Sequence, residues 1–267
     1  MKDRKTWLSG PYILWIILFT VVPVIILFYY AFQDDAGRVT LDFFKGAVRP
    51  IHLKALWLSV LLSLMCTVVC LLLAYPLALC MRSLKMGKKG MMIAIVIGPM
   101  WMNYVLRIMS WQLILSQNGV LNKVLSVLHL PRQDWGNSAT AIVIGMIYDY
   151  LPFMLLPVYN AVMDIGEDVI EAAHDLGASK ATVLRKVMIP LSKPGIISGI
   201  TMVFIPALTT FAISDMLGGG KVMLIGNIIE QEFISSMNWH LGAALSLLLM
   251  LFIIPGIIFS NEEEGGF

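Results

Sequence analysis

Long apolar segments alternate with short polar ones along the whole chain. A helix needs about 20 apolar residues to cross the hydrocarbon core of a bilayer, and the alternation predicts six such helices. They lie at 10–32, 56–80, 90–106, 139–162, 195–214 and 240–260. No charge interrupts the first segment between Lys5 and Asp34, and no small-residue cleavage site ends it. We therefore predict an uncleaved first span rather than a signal peptide.

The composition agrees with this pattern. Of the 267 residues, 58% are hydrophobic and 13% are charged, whereas a soluble domain carries about a quarter charged residues. We therefore predict an all-α integral membrane protein with a single transmembrane domain over 1–267. The net charge of +2 gives no reason to expect a nucleic acid partner. Three cysteines fall in the second apolar segment, where small apolar packing is a simpler interpretation than a disulfide.

The basic residues favour one orientation in the bilayer. Cytoplasmic segments of membrane proteins are enriched in Lys and Arg. With a cytoplasmic N-terminus, the inner polar segments hold 11 of these residues and the outer ones hold 8. The inner loop 82–90, RSLKMGKKG, carries four bases and no acid. We predict that both termini and the polar segment 164–194 lie on the cytoplasmic side.

The segment 164–194 has the pattern of two short helices joined by a turn. Apolar residues share one face of each helix: Val169, Ile170, Ala173 and Leu176 in the first, and Val183, Leu184, Val187 and Met188 in the second. Gly177 can adopt the positive φ that ends a helix, Ser179 can cap the next one, and Pro190 is expected to end it. A protruding helix pair of this kind is suited to docking into a soluble partner. An ordinary solvated loop is the alternative.

The stretch EAAHDLGASKATVLRKVMIP, residues 171–190, resembles the EAA signature of ABC-importer permeases. Val187 and Ile189 stand where that family usually has isoleucine and leucine. The resemblance implies six helices in the type I importer (MetI-like) architecture, with this loop as the coupling helix that fits a groove on the ATPase subunit. The residues assigned to that contact are Glu171, Ala172, Ala173, Asp175, Gly177, Ile189 and Pro190.

Three further stretches are similar to the spermidine/putrescine branch of these permeases. They are GPMWMNYVLRIMSWQLILSQNGVLN at 98–122, YDYLPFMLLPVYNAV at 148–162, and SDMLGGGKVMLIGNIIEQEF at 214–233 followed by NWHLGAALS. The resemblance implies a permease of the bacterial cytoplasmic membrane that moves polyamines by alternating access. It also implies four kinds of partner: a second permease, two ATP-binding subunits, an extracytoplasmic polyamine-binding protein and the lipid bilayer. The acidic ending SNEEEGGF departs from the basic tail usual in the family.

A polyamine pathway should offer carboxylates and aromatic faces to ammonium groups. Asp149 is a candidate because an acid within a span is costly, although it could instead pair with Arg107. The other candidates from the same stretches are Trp101, Tyr104, Trp111, Tyr148, Tyr150, Asp215 and Asn227. The rings could equally anchor the chain at the membrane interfaces. For Glu230 and Glu232 we prefer docking of the binding protein to contact with substrate.

The sequence lacks the motifs of an ATPase or of a common enzyme. GGGKVM has neither the spacing nor the Ser/Thr of a phosphate-binding loop. The four histidines are scattered, with no clustered metal-ligand set. We expect no catalytic residue, metal or cofactor in this chain, and ATP bound by a partner subunit. The alternatives are an importer permease for another small cationic or organic solute, an intramembrane enzyme, and a passive membrane anchor for a soluble complex.

Overall fold

The structure is a computed structural model that describes residues 10–264 except Asp35, Lys85 and Asp134; for 86–88 and 255–264 it describes the backbone alone. Most of the described residues are helical, and none of them forms a β-strand. The helices are α1 Gly10–Phe32, α2 Asp42–Ala47, α3 Pro50–Arg82, α4 Met86–Ile97, α5 Tyr104–Leu115, α6 Val120–Val127, α7 Ala139–Met163, α8 Glu167–Asp175, α9 Lys180–Leu191, α10 Lys193–Thr209, α11 Ala212–Gly218, α12 Ile225–Ile234 and α13 Trp239–Glu264.

Three described helices, α1, α3 and α7, are each long and apolar enough to cross a bilayer alone. Two bent pairs raise the number to five if each pair is one span. The helices on either side of residues 102–103 bend by 95°, and α9 and α10 bend by 64°. The apolar part of α13, Trp239–Ile254, is shorter. The count of six spans stays a prediction.

The predicted third span, 90–106, is a broken helix. A 3₁₀ turn at Gly98–Trp101 follows α4, and Met102 is extended before α5 begins. Asn103 caps α5, because its side-chain oxygen accepts from the backbone N–H groups of Val105 (2.9 Å) and Leu106 (3.3 Å). The hydropathy pattern does not reveal such a turn, because its residues are as apolar as those of the flanking helices.

The predicted fifth span, 195–214, also differs from the observed helices. The helix α10 ends at Thr209, Thr210 is extended, and a separate helix begins at Ala212. Gly226 packs directly against the carbonyl groups of Thr209 and Thr210, where an added Cβ would lie 2.7–2.8 Å from their oxygens. The segment after the break therefore folds back against the end of α10.

The helices group into two compact units. One contains the described residues up to Lys54 together with Ile228–Ile254, and the other contains Ala55–Asn227 with the remaining part of α13. In the first unit, aromatic side chains join α1 to the start of α13: the Tyr30 ring lies 5.8 Å from Trp239 and 5.5 Å from His240. His240 Nδ1 also lies 2.8 Å from the Tyr30 carbonyl oxygen.

The core of the second unit forms around α3 and α7. Apolar side chains recur every fourth residue on one face of α3 and lie in this core, and all but the first are small: Leu62, Cys66, Cys70, Ala74 and Ala78. The free thiols of Cys66 and Cys70 are buried there, as expected for small apolar packing, while Cys80 is exposed. A second buried stripe is polar. Ser59, Ser63 and Thr67 each donate a hydroxyl hydrogen to the carbonyl four residues earlier, which satisfies these groups within the helix.

Glycines bring α7 and α10 into close contact. An added Cβ at Gly195 would lie 2.4 Å from Ala161 Cβ and 2.5 Å from the Pro157 oxygen, and one at Gly199 would lie 2.7 Å from Met154 Sδ. Small residues four apart let two membrane helices approach backbone to backbone. The two glycines of the sequence GIISG therefore let α10 pack directly against α7, although the loop 164–192 separates the two helices in the chain.

We expect Gly195→Ala to destabilise the permease by about 1–3 kcal/mol, because overpacking a close contact forces backbone shifts. Gly90→Ala is the matched control, since an added Cβ there meets nothing within 4 Å. The measurement is the thermal unfolding of each purified variant in the same detergent. Equal unfolding temperatures for the two variants would contradict the close approach of α7 and α10.

Candidate functional site

The turn between α8 and α9 has the predicted local structure. Gly177 has a φ of +79°, and its N–H donates to the His174 carbonyl at 2.8 Å. The Ala178 N–H donates to the Ala173 carbonyl at 3.0 Å. Ser179 then caps α9 by accepting from the Thr182 N–H at 3.3 Å. The predictions for Gly177 and Ser179 are confirmed: Gly177 ends the first helix and Ser179 caps the second.

The helix α8 contains no buried residue. Leu176, at its C-terminal end, is 90% exposed, and Val169 on the same predicted face is also exposed. Of the residues assigned to the ATPase contact, those exposed are Glu171, Ala172, Asp175, Gly177, Ile189 and Pro190, while Ala173 is half-buried. On the apolar face of α8, Val169 and Leu176 are therefore exposed, while Ile170 and Ala173 are half-buried. Burial of Val183 in α9 fixes the other helix of the pair to the rest of the protein.

The prediction that Pro190 ends the second helix holds to within one residue, since the helix ends at Leu191 and the chain then bends by 64° into α10. Helix continues to Leu191 through a π-helical turn at Leu184–Met188. The Ile189 N–H bonds to the carbonyl five residues before it, at Leu184, and the Ser192 N–H bonds to the carbonyl four residues before it, at Met188 (2.9 Å). Pro190 lies where the hydrogen-bond register changes, so its missing N–H costs the helix little.

Arg82, the last residue of α3, anchors the base of this loop. Its guanidinium donates from Nη1 to the Val162 carbonyl and from Nη2 to the Ile165 carbonyl (2.7 Å). Nη2 also lies 3.0 Å from Glu167 Oε1 in the first turn of α8. The Arg82 side chain is 10% exposed and that of Glu167 is 75% exposed. Arg82 was not among the predicted site residues, because in the sequence it is only one of four bases in a loop.

Within the second unit, Arg107 and Asp149 form a buried ion pair. Their side chains come from α5 and α7, the two residues are 8% and 3% exposed, and Arg107 Nε lies 2.5 Å from Asp149 Oδ1. Among the described residues, neither Arg107 Nε nor either Asp149 oxygen has a hydrogen-bond partner of acceptable geometry. The structural alternative that the sequence left open, pairing of Asp149 with Arg107, is therefore observed, but without directional hydrogen bonds.

Aromatic and hydroxyl groups surround this ion pair. Arg107 Cζ lies 5.7 Å from the centre of the Tyr104 ring, a distance typical of a cation–π contact. Thr210 lies next to the hydroxyls of both Tyr104 and Tyr150, and the Tyr150 hydroxyl donates to the Pro206 carbonyl at 3.3 Å. The structure thus brings Tyr104, Arg107, Asp149 and Tyr150 together, with Thr210 as a member that sequence analysis missed.

Four other pathway candidates lie apart from these contacts. The Trp111 and Tyr148 rings pack edge to face at 5.2 Å, which joins α5 to α7. Trp101 is 88% exposed on the 3₁₀ turn, as expected for a ring that anchors in the membrane. Asp215 is exposed in the first turn of α11. A substrate contact is still a prediction for each of them.

The side chain of Asn227 forms hydrogen bonds that hold its own segment in place. Its Oδ1 accepts from the Ser214 hydroxyl (2.5 Å) and from the Leu224 N–H (3.1 Å), and its Nδ2 donates to the Phe211 carbonyl (3.0 Å). The adjacent Ile225 N–H donates to Ser59 Oγ in α3 at 2.8 Å. These bonds fix the segment between α11 and α12, and a substrate contact of Asn227 stays a prediction.

Glu230 and Glu232 belong to the other compact unit and are half-buried on α12. The Glu232 carbonyl accepts from the Asn238 N–H at 2.9 Å, which closes the loop before α13. Their role in docking a binding protein stays a prediction. Among the described residues, no group of three or more His, Cys, Asp or Glu side chains is placed to hold a metal ion.

Known proteins resemble this chain along nearly its whole length. Residues 2–261 match the family described as binding-protein-dependent transport system inner membrane component. The spermidine/putrescine transport system permease protein PotB of Haemophilus influenzae is 34% identical over 242 residues, 87% of this chain and 84% of the relative. PotB of Escherichia coli K12 is 35% identical over 246 residues, 89% of both chains.

Solved structures resemble the fold. A bacterial ABC transporter involved in the import of the acidic polysaccharide alginate matches with a TM-score of 0.81 at 19% identity, covering 98% of this chain and 96% of that chain. The MetNI methionine ABC transporter matches with a TM-score of 0.58 at 16% identity, covering 79% of this chain and 93% of that chain. The predicted fold class is confirmed, since the described residues are mostly helical, form no β-strand, and have an importer permease fold. The chain belongs to the family of inner membrane components of binding-protein-dependent transport systems, the multi-pass permeases of ABC importers.

Proposed function

We propose that this permease carries polyamines, spermidine and putrescine in particular, into the cell as a subunit of an ATP-driven importer. The observation that carries the proposal is the 34–35% identity to two PotB permeases over nearly the full length of each chain. The buried carboxylate of Asp149 beside the Tyr104 and Tyr150 rings agrees with it. Ammonium groups on an apolar stem are best bound by a carboxylate and aromatic faces out of water.

The proposal includes the partners and the orientation. The chain would pair with a second permease, two ATP-binding subunits and an extracytoplasmic polyamine-binding protein, with both termini and the loop 164–194 in the cytoplasm. The exposed apolar side chains of Val169 and Leu176 at α8 support docking on an ATP-binding subunit. ATP would be bound only by those subunits, which is why the chain itself needs neither a cofactor nor catalytic residues. Closure of the ATP-binding subunits would move the loop and reorient the spans.

The direct test is ATP hydrolysis by the full reconstituted complex, with its binding protein, against a panel of solutes. We expect stimulation by spermidine and putrescine, and none by methionine or by an acidic oligosaccharide. Parallel uptake of labelled spermidine shows whether hydrolysis is linked to transport. Stimulation by a different solute alone would reject the polyamine assignment while leaving the transport family intact.

A permease for another small cationic or organic solute is the second candidate. One observation favours it: Arg107 already neutralises Asp149, so the buried site carries no net negative charge in this state. The same solute panel separates the two candidates, because single amines and amino acids would then stimulate hydrolysis where polyamines do not.

A further inference from the structure

The Arg107–Asp149 pair has the features of a contact that opens. A fully satisfied arginine–carboxylate pair forms two parallel N–H···O bonds. Here Arg107 Nε is 2.5 Å from Asp149 Oδ1, yet neither carboxylate oxygen has a well-directed hydrogen bond from any described residue. Both oxygens therefore keep acceptor capacity that a different donor could use. A primary ammonium group offers three N–H donors that can rotate to meet such oxygens.

The position of the pair suits a transport pathway. Asp149 lies roughly 15 Å along α7 from Ala139 and roughly 21 Å from Met163 at 1.5 Å per residue, close to the middle of that helix. Burial of both side chains keeps water from weakening their attraction. A cation that reached Asp149 would meet a carboxylate already occupied by the protein's own cation.

The remaining contacts of Arg107 lie on the break in the third apolar segment. Its Nη1 donates to the Pro99 carbonyl at 3.2 Å, in the 3₁₀ turn that ends α4. Its guanidinium also faces the Tyr104 ring in the first turn of α5. If Asp149 were taken by another cation, Arg107 would keep only these two partners among the described residues. A buried charge without a counter-ion is strongly unfavourable, so release of Arg107 would favour rearrangement of the turn at Gly98–Trp101.

We propose that Arg107 is a built-in counter-cation which occupies Asp149 until a substrate ammonium group displaces it, so that substrate loading and movement of the α4–α5 break are one event. This inference rests on the proposed function only in requiring a cationic substrate. Arg107 then makes the site selective for polyamines over cations with a single charge. A monocation competes with the guanidinium at one point, whereas a polyamine can hold Asp149 with one ammonium while its other ammonium groups contact surrounding acceptors and rings.

The test is a double-variant cycle in the reconstituted complex, with spermidine-stimulated ATP hydrolysis and uptake as readouts. For Arg107→Gln we expect the half-saturating spermidine concentration to fall by about fivefold or more, within the usual range of coupling between sites, and hydrolysis without substrate to rise. For Asp149→Asn we expect loss of stimulation. The double variant Arg107→Gln/Asp149→Asn should assemble normally and stay as unresponsive as Asp149→Asn. Arg132→Gln, in an exposed loop, controls for loss of one positive charge.

A purely structural ion pair gives the opposite pattern. Each single variant would then lose assembly or transport alike, and the neutral double variant would recover transport, which overturns the proposal. If Arg107→Gln fails to assemble, the double variant alone decides, because it contains no unpaired buried charge. Failure of the proposed function is separate and appears in the unmodified complex: no response to any polyamine or other amine rejects a cationic substrate and this inference with it. A polyamine response with a recovered double variant rejects only the inference.

Discussion

Gly177→Pro should separate ATP hydrolysis from transport. Gly177 has a φ of +79° and its N–H bonds to the His174 carbonyl, and proline allows neither, since its ring fixes φ near −65° and removes the N–H. A loss of about 3 kcal/mol in the stability of this turn follows, and each 1.4 kcal/mol is about tenfold in population. Loops with the docking geometry should thus be roughly a hundredfold rarer by the same relation.

The measurement compares spermidine uptake with ATP hydrolysis and with co-purification of the ATP-binding subunits. Gly177→Asn is the matched control, because asparagine tolerates the left-handed conformation and an added Cβ at this position meets nothing within 4 Å. We expect near-normal transport from Gly177→Asn. Normal transport by Gly177→Pro would show that the turn geometry is not what the partner requires.

Arg82→Met should impair coupling nearly as severely. The substitution keeps an apolar stem and removes the guanidinium that bonds the Val162 and Ile165 carbonyls and contacts Glu167. A hydrogen bond from a charged donor contributes about 1.5–3 kcal/mol, and the two carbonyls lie at the junction of α7 and the loop. We expect assembly with the second permease to persist and the loop to become accessible to protease. Transport should fall by about tenfold or more, because losing even one such bond makes the anchored loop about tenfold rarer.

Glu167→Gln is the control for this prediction. It removes only the ion pair with a mostly exposed carboxylate, and exposed pairs contribute about 0–1 kcal/mol. Arg82→Lys should restore transport only in part, because an ammonium group is a single point of charge and cannot reach two carbonyls together as the planar guanidinium does. If Glu167→Gln proves as damaging as Arg82→Met, the surface ion pair and not the carbonyl anchor links α3 to the loop.

The regular parts of the fold could be predicted from the sequence. Apolar runs in 10–32 and 139–162 correspond to α1 and α7 within a residue at each end, because hydropathy alone sets the length of a spanning helix. The turn at Gly177 and Ser179 could also be predicted, since only a few residue types adopt a positive φ or cap a helix.

The irregular parts could not be predicted, since they depend on partners distant in sequence. The fold-back after Thr209 relies on the contact of Gly226 with the carbonyls before it. Pro190 is tolerated because a π-helical turn precedes it, and no local pattern marks such a turn. In the site, the candidates Arg107 and Asp149 were identified by charge within apolar sequence, but their mutual contact required the structure. Arg82 and Thr210 carry no sequence signal of their own.

The close contact of α7 and α10 restricts how a push on the loop can travel. These helices flank the loop on both sides, and Gly195 and Gly199 seat α10 against the backbone of α7. Interlocked backbones resist sliding, so we expect α7 and α10 to move together as a single rigid body. A displacement of the α8–α9 turn would then tilt both helices and move Asp149 with them. Asp149 lies about 21 Å along α7 from Met163, so a small tilt at the loop would give a larger displacement at this carboxylate.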